Sequence, residues 1–378
     1  MQFHHHGYVS GEPRVLPAEG TGLNRPASPT SPKRKAALNR PTDLPDETDV
    51  LIVGSGPAGM LLAAQLSRYP SVTTRIIERR PGRLAIGQAD GIQARSVETF
   101  QAFGFAERIV AEAFQLSAMN FWSPDPNNHG SIIRTAIAED DPHGISEFPH
   151  LIVYQARVLD YFAEYAANGP ARIHPDFGYE FVTLSVEEGE YPVTVTLKHT
   201  DGEKVGQEQI IKAKYVVGCD GARSAVRESI GRKLVGDQAF HAWGVMDVVG
   251  NTDFPDIRTK CAIQSTHGSI LLIPREGGFL FRMYVDLGEV PADNNGEIRK
   301  TTIEQIIAKA NEILHPYTVD VKDVPWHSVY EVGHRVTDKF DDVYDEERTP
   351  RVFIAGVACH THSAKAGQGL NVSMLDGF

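Results

Sequence analysis

Only three cysteines occur in the 378 residues, Cys219, Cys261 and Cys359. Odd in number and far apart, they exclude a secreted disulfide framework and read as reduced thiols. Long apolar runs are absent as well. None approaches the ~20 residues needed to cross a bilayer, and the N-terminus lacks the hydrophobic core of a signal peptide, so a soluble, cytoplasmic chain with no membrane partner is expected. Positive charge is in deficit: 37 Lys and Arg stand against 49 Asp and Glu, a formal net charge of -12. That balance excludes a nucleic-acid partner, whose phosphates must be met by clustered cations. Small-molecule chemistry is the class that remains.

Residues 1–45 are poor in apolar side chains and rich in Pro, Gly, Ser, Thr and Arg. They are expected to form a disordered arm. His4, His5 and His6 stand in a row there without convergent carboxylates or thiols, so no metal site is read from them. The rest, with 41% hydrophobic residues over the whole chain, can bury a sizeable core.

Order begins at TDVLIVGSGPAGMLLAAQLSRYP. Residues Asp49–Val53 suit a buried parallel strand, and Ala58–Leu66 a buried helix. Between them lie Gly54, Gly56 and Gly59 in the pattern G-x-G-x-x-G. Such glycines permit a tight turn, let a pyrophosphate approach the backbone and allow close helix packing, while the helix N-terminus favours the anion. A second strand, Thr73–Ile77, ends in Glu78, placed to accept the hydroxyls of an adenosine ribose. The first motif leaves NAD and FAD both open. Two further strand-turn-helix signals follow: YVVGCDGARSAVRESIG, with Asp220 and Gly221, and FIAGVACHTHSAKAGQGLNVSMLDGF, where the strand Val352–Ala355 runs into Gly367, Gln368 and Gly369. Three such sites spread along the chain suit a long cofactor held from several sides, which favours FAD. Alternating strand patterns dominate 116–150 and 236–345, with a helix over Thr302–Leu314.

The combination of GSGPAG with Glu78, CDGARSAVR and GVACHTHSAKAGQGLNVSMLDGF resembles the FAD-dependent aromatic hydroxylases of the p-hydroxybenzoate hydroxylase type, and most closely the fungal phenol 2-monooxygenases. The runs GQADGIQARSVETFQAFG, LLIPREGGFLFRMYV and WHSVYEVGHRV extend the resemblance from about residue 47 to the end. It implies an α/β fold: an FAD-binding Rossmann-like domain from 46–115, 151–235 and 350–378, interleaved with a mostly antiparallel sheet substrate domain from 116–150 and 236–349. It implies an NADPH- and FAD-dependent monooxygenase acting on a small phenolic substrate with O2 through a flavin hydroperoxide, and a homodimer.

Carried over by position, the resemblance gives Gly54, Gly56, Gly59 and Glu78 to the ADP half of FAD, and Arg95 and Gln155 to the pyrophosphate or ribityl region. It gives Asp220 to a motif serving FAD and NADPH, and Gly356, Gly367, Gln368, Gly369, Leu370 and Asn371 to the pyrophosphate and flavin ring. Asp90, Arg275 and Tyr284 match substrate-site positions. A phenol with a pKa of about 10 reacts poorly unless deprotonated, so Asp90 is expected as the base. Tyr284 is expected to bond the substrate oxygen or the flavin, and Arg275 to raise the local positive potential. Cys359, His360 and His362 lie inside the flavin motif at a spacing that fits no closed zinc site, so no metal is expected.

Two departures follow from the same resemblance. The family's Gly-Asp turn, whose Asp accepts a ribityl hydroxyl, is here Gly356-Val357, and Ala364 replaces a family proline. Past Gly369 roughly ten residues remain, short for a stable helix without packing, so the last cofactor site is expected to be poorly anchored and the chain truncated. The alternatives are a catalytically impaired FAD-binding paralogue or fragment, and a flavin hydroxylase of a larger aromatic secondary metabolite.

Overall fold

The computed structural model describes residues 2–4, 7–9, 43–290, 297–344, 348–362 and 367–378. Within the expected disordered arm, Gln2–His4 and Gly7–Val9 pair antiparallel. His5, His6, residues 10–42 and Ala364 lie outside the described residues. The folded body begins slightly before the expected boundary, since Leu44 is buried and the Asp43 carbonyl faces the Arg75 guanidinium at 3.5 Å.

The apolar run at Glu47–Val53 becomes a strand because both its faces are covered. It joins a seven-stranded sheet in the order Pro175–Phe177, Thr74–Glu78, Glu47–Val53, Glu208–Gly218, Val193–His199, Tyr179–Val186, with Val352–Ile354 also beside Glu208–Gly218. The pairings among the three strands 47–53, 208–218 and 352–354 are parallel and in step: Gly218 lies opposite both Val53 and Ile354. Three turns therefore leave the sheet side by side, at Gly54, Cys219 and Ala355. This carboxyl edge of parallel strands is where open α/β sheets bind ligands.

The helix Pro57–Leu66 starts with Pro at its first turn and buries Ala58, Gly59, Met60, Leu61, Ala63 and Ala64. Its small residues let it lie close against the sheet and against the helices Gln155–Asn168 and Gln368–Asp376.

Eight strands form the second sheet, in the order His360–Thr361, Val319–Val336, Val235–Thr252, Phe281–Glu289, Gly268–Pro274, Lys260–Ser265, Ala118–Asp125, Asn128–Glu139. All neighbours are antiparallel except Lys260–Ser265 with Ala118–Asp125. The helix Ile303–Leu314, capped by Thr302 and Gln305, covers one face. Strand alternation divides the side chains: Met246, Met283 and Val285 pack with that helix, whereas Trp243, Val245 and Tyr284 join Leu116 and Ile152 on the opposite side. Asp247, Arg282 and Arg275 fall on this opposite face. A small sheet of Gly91–Ile92, His150–Ile152 and Phe114–Leu116 packs Ile92 and Leu151 with the core of the first sheet and Leu116 and Ile152 with side chains of the second. The three cysteines are buried and free.

Candidate active site

At the first turn each glycine answers a different steric demand. Gly54 sits at φ +103°, and a Cβ there would meet the Cys219 carbonyl at 2.5 Å; one on Gly59 would meet the Gly54 carbonyl at 2.0 Å. At Gly56 a Cβ would find only the Cys219 carbonyl, 4.0 Å away. The open position is the one a pyrophosphate must approach. No side chain caps the Pro57–Leu66 helix, so its first N–H groups point outward. Glu78 closes the neighbouring strand, accepting from Ser55 N and Oγ at 3.1 and 2.9 Å and from Arg80 Nε and Nη2 at 2.9 Å. Burial works to raise its carboxyl, but the hydrogen bonds and charge of Arg80 outweigh it and hold it at about 2. These features fit the ADP half of FAD.

The second helix N-terminus at this edge belongs to Gln368–Asp376, whose cap Gly367 is left-handed at φ +62° and again brings no side-chain cap. The first N–H groups of this helix, at Gln368, Gly369 and Leu370, have no intrahelical partner and are suited to an anionic flavin edge. The helix is firmly anchored, contrary to expectation. Leu370, Asn371, Ser373 and Met374 are buried, and the Phe378 carbonyl accepts from Gln65 at 2.9 Å. Packing supplies what a nine-residue helix lacks alone.

Several expected ligand residues hold the chain itself. The Asn371 amide accepts from Gln93 N and Ser96 Oγ at 2.9 and 2.7 Å and donates to the Gly91 and Gly367 carbonyls at 2.9 and 2.7 Å. It ties the helix to the segment following Asp90. Gln155 Oε1 accepts from Gln88 N and Ala89 N at 3.2 and 3.4 Å. Asp220 caps the helix Ala225–Ser229, accepting from Ser224 Oγ, Ala225 N and Val226 N. Arg95 is exposed and pairs with Glu98 at 3.0 Å.

Beneath the third turn, Asp376 accepts from Gly356 N at 2.8 Å and pairs with His360 Nε2, whose Nδ1 lies 2.8 Å from His362 Nε2. Burial pushes the Cys359 thiol up to about 12, and it donates to the Gly356 carbonyl at 3.1 Å. Val357 is half-buried in this turn.

Asp90, Arg275 and Tyr284, far apart in sequence, meet. Asp90 Oδ2 accepts from Arg275 Nη1 at 2.7 Å, and Tyr284 OH lies 3.4 Å from Oδ1. Arg282, Asp247, Glu276 and Tyr154, not singled out in the sequence, complete the cluster. Arg282 grips Asp247 through Nε and Nη2 at 2.6 and 2.8 Å and donates Nη1 to the Gln88 carbonyl at 2.7 Å, with Asp90 3.2 Å away. The Arg282 guanidinium stacks on Trp326 at 4.5 Å, and that of Arg275 on Tyr154 at 4.0 Å. Arg275, Arg282 and Asp247 show 0% exposure. Burial pushes the Tyr284 phenol well above its usual range, so it remains a donor. A readable signal existed: in FLFRMYV, Arg282 shares the period-2 face of Tyr284. Nearby, His150 Nδ1 lies 3.1 Å from Asp140, and Lys260, whose ammonium burial lowers, feels the charges of Asp140 and Asp90.

Residues 47–378 match the family model described as FAD binding domain. The chain is 50% identical over 385 residues to a 3-hydroxybenzoate 4-monooxygenase of Comamonas testosteroni, covering 100% of this chain and 58% of that protein. It is 34% identical over 337 residues to phenol 2-monooxygenase fsqG of Aspergillus fumigatus, covering 88% of this chain and 54% of the relative. The expected nearest likeness to fungal phenol 2-monooxygenases is corrected by that difference. Among solved structures, p-nitrophenol 4-monooxygenase PnpA from Pseudomonas putida superposes with a TM-score of 0.70 at 20% identity, covering 88% of this chain and 78% of that one. Aklavinone-11 hydroxylase, solved with FAD and aklavinone, gives 0.69 at 22% identity, covering 89% and 62%. These show the p-hydroxybenzoate hydroxylase type of fold. The chain spans little more than half the length of the curated relatives it matches. Among the described residues no helix is long and apolar enough to cross a membrane.

Proposed function

The chain belongs to the FAD binding domain family, and on that premise we propose that it is the FAD- and substrate-holding part of an NADPH-dependent aromatic monooxygenase acting on a phenol with an acidic ring substituent. The observation that carries this reading is the buried cluster joining Asp90 to Arg275, Arg282 and Tyr284. We assign 46–115, 151–235 and 350–378 to the FAD-binding domain and 116–150 with 236–349 to the substrate domain.

Bound FAD, reduced by NADPH, supplies the reactive oxygen derived from O2. The chain's own residues prepare the ring. A substrate hydroxyl arriving beside both Tyr284 and Asp90 gives its proton to Asp90 Oδ1, and the oxygen left negative is near the two buried guanidiniums, which favour the ionised phenol. Tyr284, kept protonated by burial, donates to that oxygen and orients the ring. The aromatic and aliphatic side chains of Trp243, Val245, Leu116 and Ile152 exclude water. Lys260 and His150, in electrostatic reach of Asp90 and Asp140, form a second polar pole for an anionic substituent. The Comamonas relative, named for 3-hydroxybenzoate, supports that substrate class.

The test is product analysis with the FAD-loaded protein and NADPH, comparing 3-hydroxybenzoate, phenol and a fused-ring phenol. The expected result is NADPH oxidation coupled to hydroxylation of 3-hydroxybenzoate. Lys260→Ala is expected to raise KM for that substrate at least about tenfold, through loss of a charge-assisted contact, and to leave KM for phenol unchanged. Absence of NADPH oxidation with any of the phenols would favour a catalytically silent flavin holder, the reading that Val357 supports. Preferred turnover of the fused-ring phenol would favour a larger aromatic substrate.

A further inference from the structure

The buried cluster contains one acid more than its bases. Arg275 and Arg282 face Asp90, Asp247 and Glu276, so with all five ionised the group carries one net negative charge. That is a poor setting for a phenol that must ionise in the same place.

The hydrogen bonds rank the three acids. Asp247 receives a fork from Arg282, at 2.6 and 2.8 Å on its two oxygens. Asp90 accepts from Arg275 at 2.7 Å, with Arg282 3.2 Å from the same oxygen. Glu276 is held more weakly: Oε1 accepts from Tyr154 N at 3.0 Å and Arg275 Nη2 at 3.2 Å. Its Oε2, 3.1 Å from Arg275 Nε but off the N–H axis, makes no hydrogen bond, and the residue is 2% exposed. A buried carboxylate oxygen without a donor is costly, and the neutral acid costs less there because it has no charge to desolvate.

We propose that Glu276 is held as the neutral carboxylic acid, and that as a positioning residue it leaves the charge of Arg275 free to favour an ionised substrate hydroxyl beside Asp90. The consequence for the substrate rests on the monooxygenase reading above. In the resting cluster two guanidiniums balance Asp90 and Asp247. When a phenol O–H bond breaks and its proton passes to Asp90, the phenolate replaces Asp90 as counter-ion to Arg275, and the cluster stays neutral throughout. An ionised Glu276 would compete with the phenolate for the same guanidinium. The titratable groups around Glu276 are Arg275 on its own turn, Tyr154 at the start of the Gln155–Asn168 helix, Asp247 on the Val235–Thr252 strand, and beyond Arg275, Arg282 and Asp90. Burial pushes the Glu276 carboxyl above its ordinary range, whereas Asp247 is lowered despite its burial.

Two measurements on the FAD-loaded protein test this. The first needs no substrate: the infrared difference between wild type and Glu276→Gln at neutral pH. The expected result is loss of a protonated-carboxyl C=O stretch; loss of carboxylate bands alone overturns the proposal. The second follows ionisation of bound 3-hydroxybenzoate by ultraviolet difference absorption. If Glu276 is neutral, the Glu276→Gln substitution leaves the charge of the cluster unaltered, and the ionised fraction changes less than about twofold; if Glu276 is ionised, removing its charge raises that fraction about tenfold. Should Glu276→Gln fail to fold, the wild-type pH titration decides, since a neutral Glu276 shows an acid band at neutral pH that disappears on alkalinisation, and its absence overturns the claim. An acid band without any phenol binding would count against the monooxygenase reading alone.

Discussion

Glu78 and Asp90 are both buried acids facing arginines, yet they bear on different properties. Glu78 has a folded-state pKa depressed from 4.5 to about 2, so it contributes stability that is present above about 4.5 and is lost as pH falls toward 2. Glu78→Gln is expected to lower unfolding free energy by about 2–3 kcal/mol at neutral pH and by progressively less in acid, read from denaturant melts across pH. Asp90 sits where a substrate hydroxyl must arrive. Asp90→Asn keeps the acceptor oxygen for Arg275 and removes the base, so kcat for a phenol is expected to fall by about 10²-fold or more while flavin content stays unchanged. Stopped-flow reduction and product assays separate these. Asp90, Arg275 and Tyr284 were legible in the sequence through resemblance. Arg282 was readable only as a residue on the face of Tyr284, whereas Asp247 was not, because its ion pair with Arg282 joins strands whose separation in sequence carries no local signal; Glu276 follows Arg275 in a turn that shows no periodic pattern. Asp220 and Asn371 were legible as motif residues in a cofactor context, but their side chains turn back to cap a helix and pin a loop, as short polar side chains at turns commonly do.

The first turn and the two helices at the carboxyl edge make sharper claims about elements. Gly59→Ala drives a methyl into the Gly54 carbonyl, which a Cβ would approach to 2.0 Å. Helix and strand must separate, so loss of both thermal stability and flavin is expected. Gly56→Ala finds room in the chain itself, with its nearest neighbour at 4.0 Å, and is expected to leave the melting temperature of the flavin-free protein within about 2 °C while weakening FAD at least about tenfold. Differential scanning calorimetry and flavin fluorescence titration check the pair. This element was legible because strand, glycines and helix are contiguous. The long antiparallel strands were legible as alternating patterns, but not their order, which depends on pairings between segments far apart such as Lys260–Ser265 with Ala118–Asp125. The last helix was misjudged for a related reason: its stability comes from the distant helix Pro57–Leu66 and from the Asn371 bonds, neither visible in nine residues.

At the scale of the molecule, one sheet gathers three turns and two uncapped helix ends along its carboxyl edge, and the other presents a charged face to Asp90. Arg275 and Arg282 join the two, reaching Asp90 and the Gln88 carbonyl from the second sheet. Because these contacts are buried, salt should screen them little. The account depends on the edge holding FAD although Val357 stands where the resembling family has an acid. The direct test is a titration of the flavin-free 378-residue chain with FAD, beside Val357→Asp, followed by visible absorption and fluorescence. The expected result is saturable binding at one FAD per chain, tightened about tenfold by Val357→Asp through a regained charge-assisted hydrogen bond. Folded protein that takes up no FAD in either form at saturating concentration would contradict it.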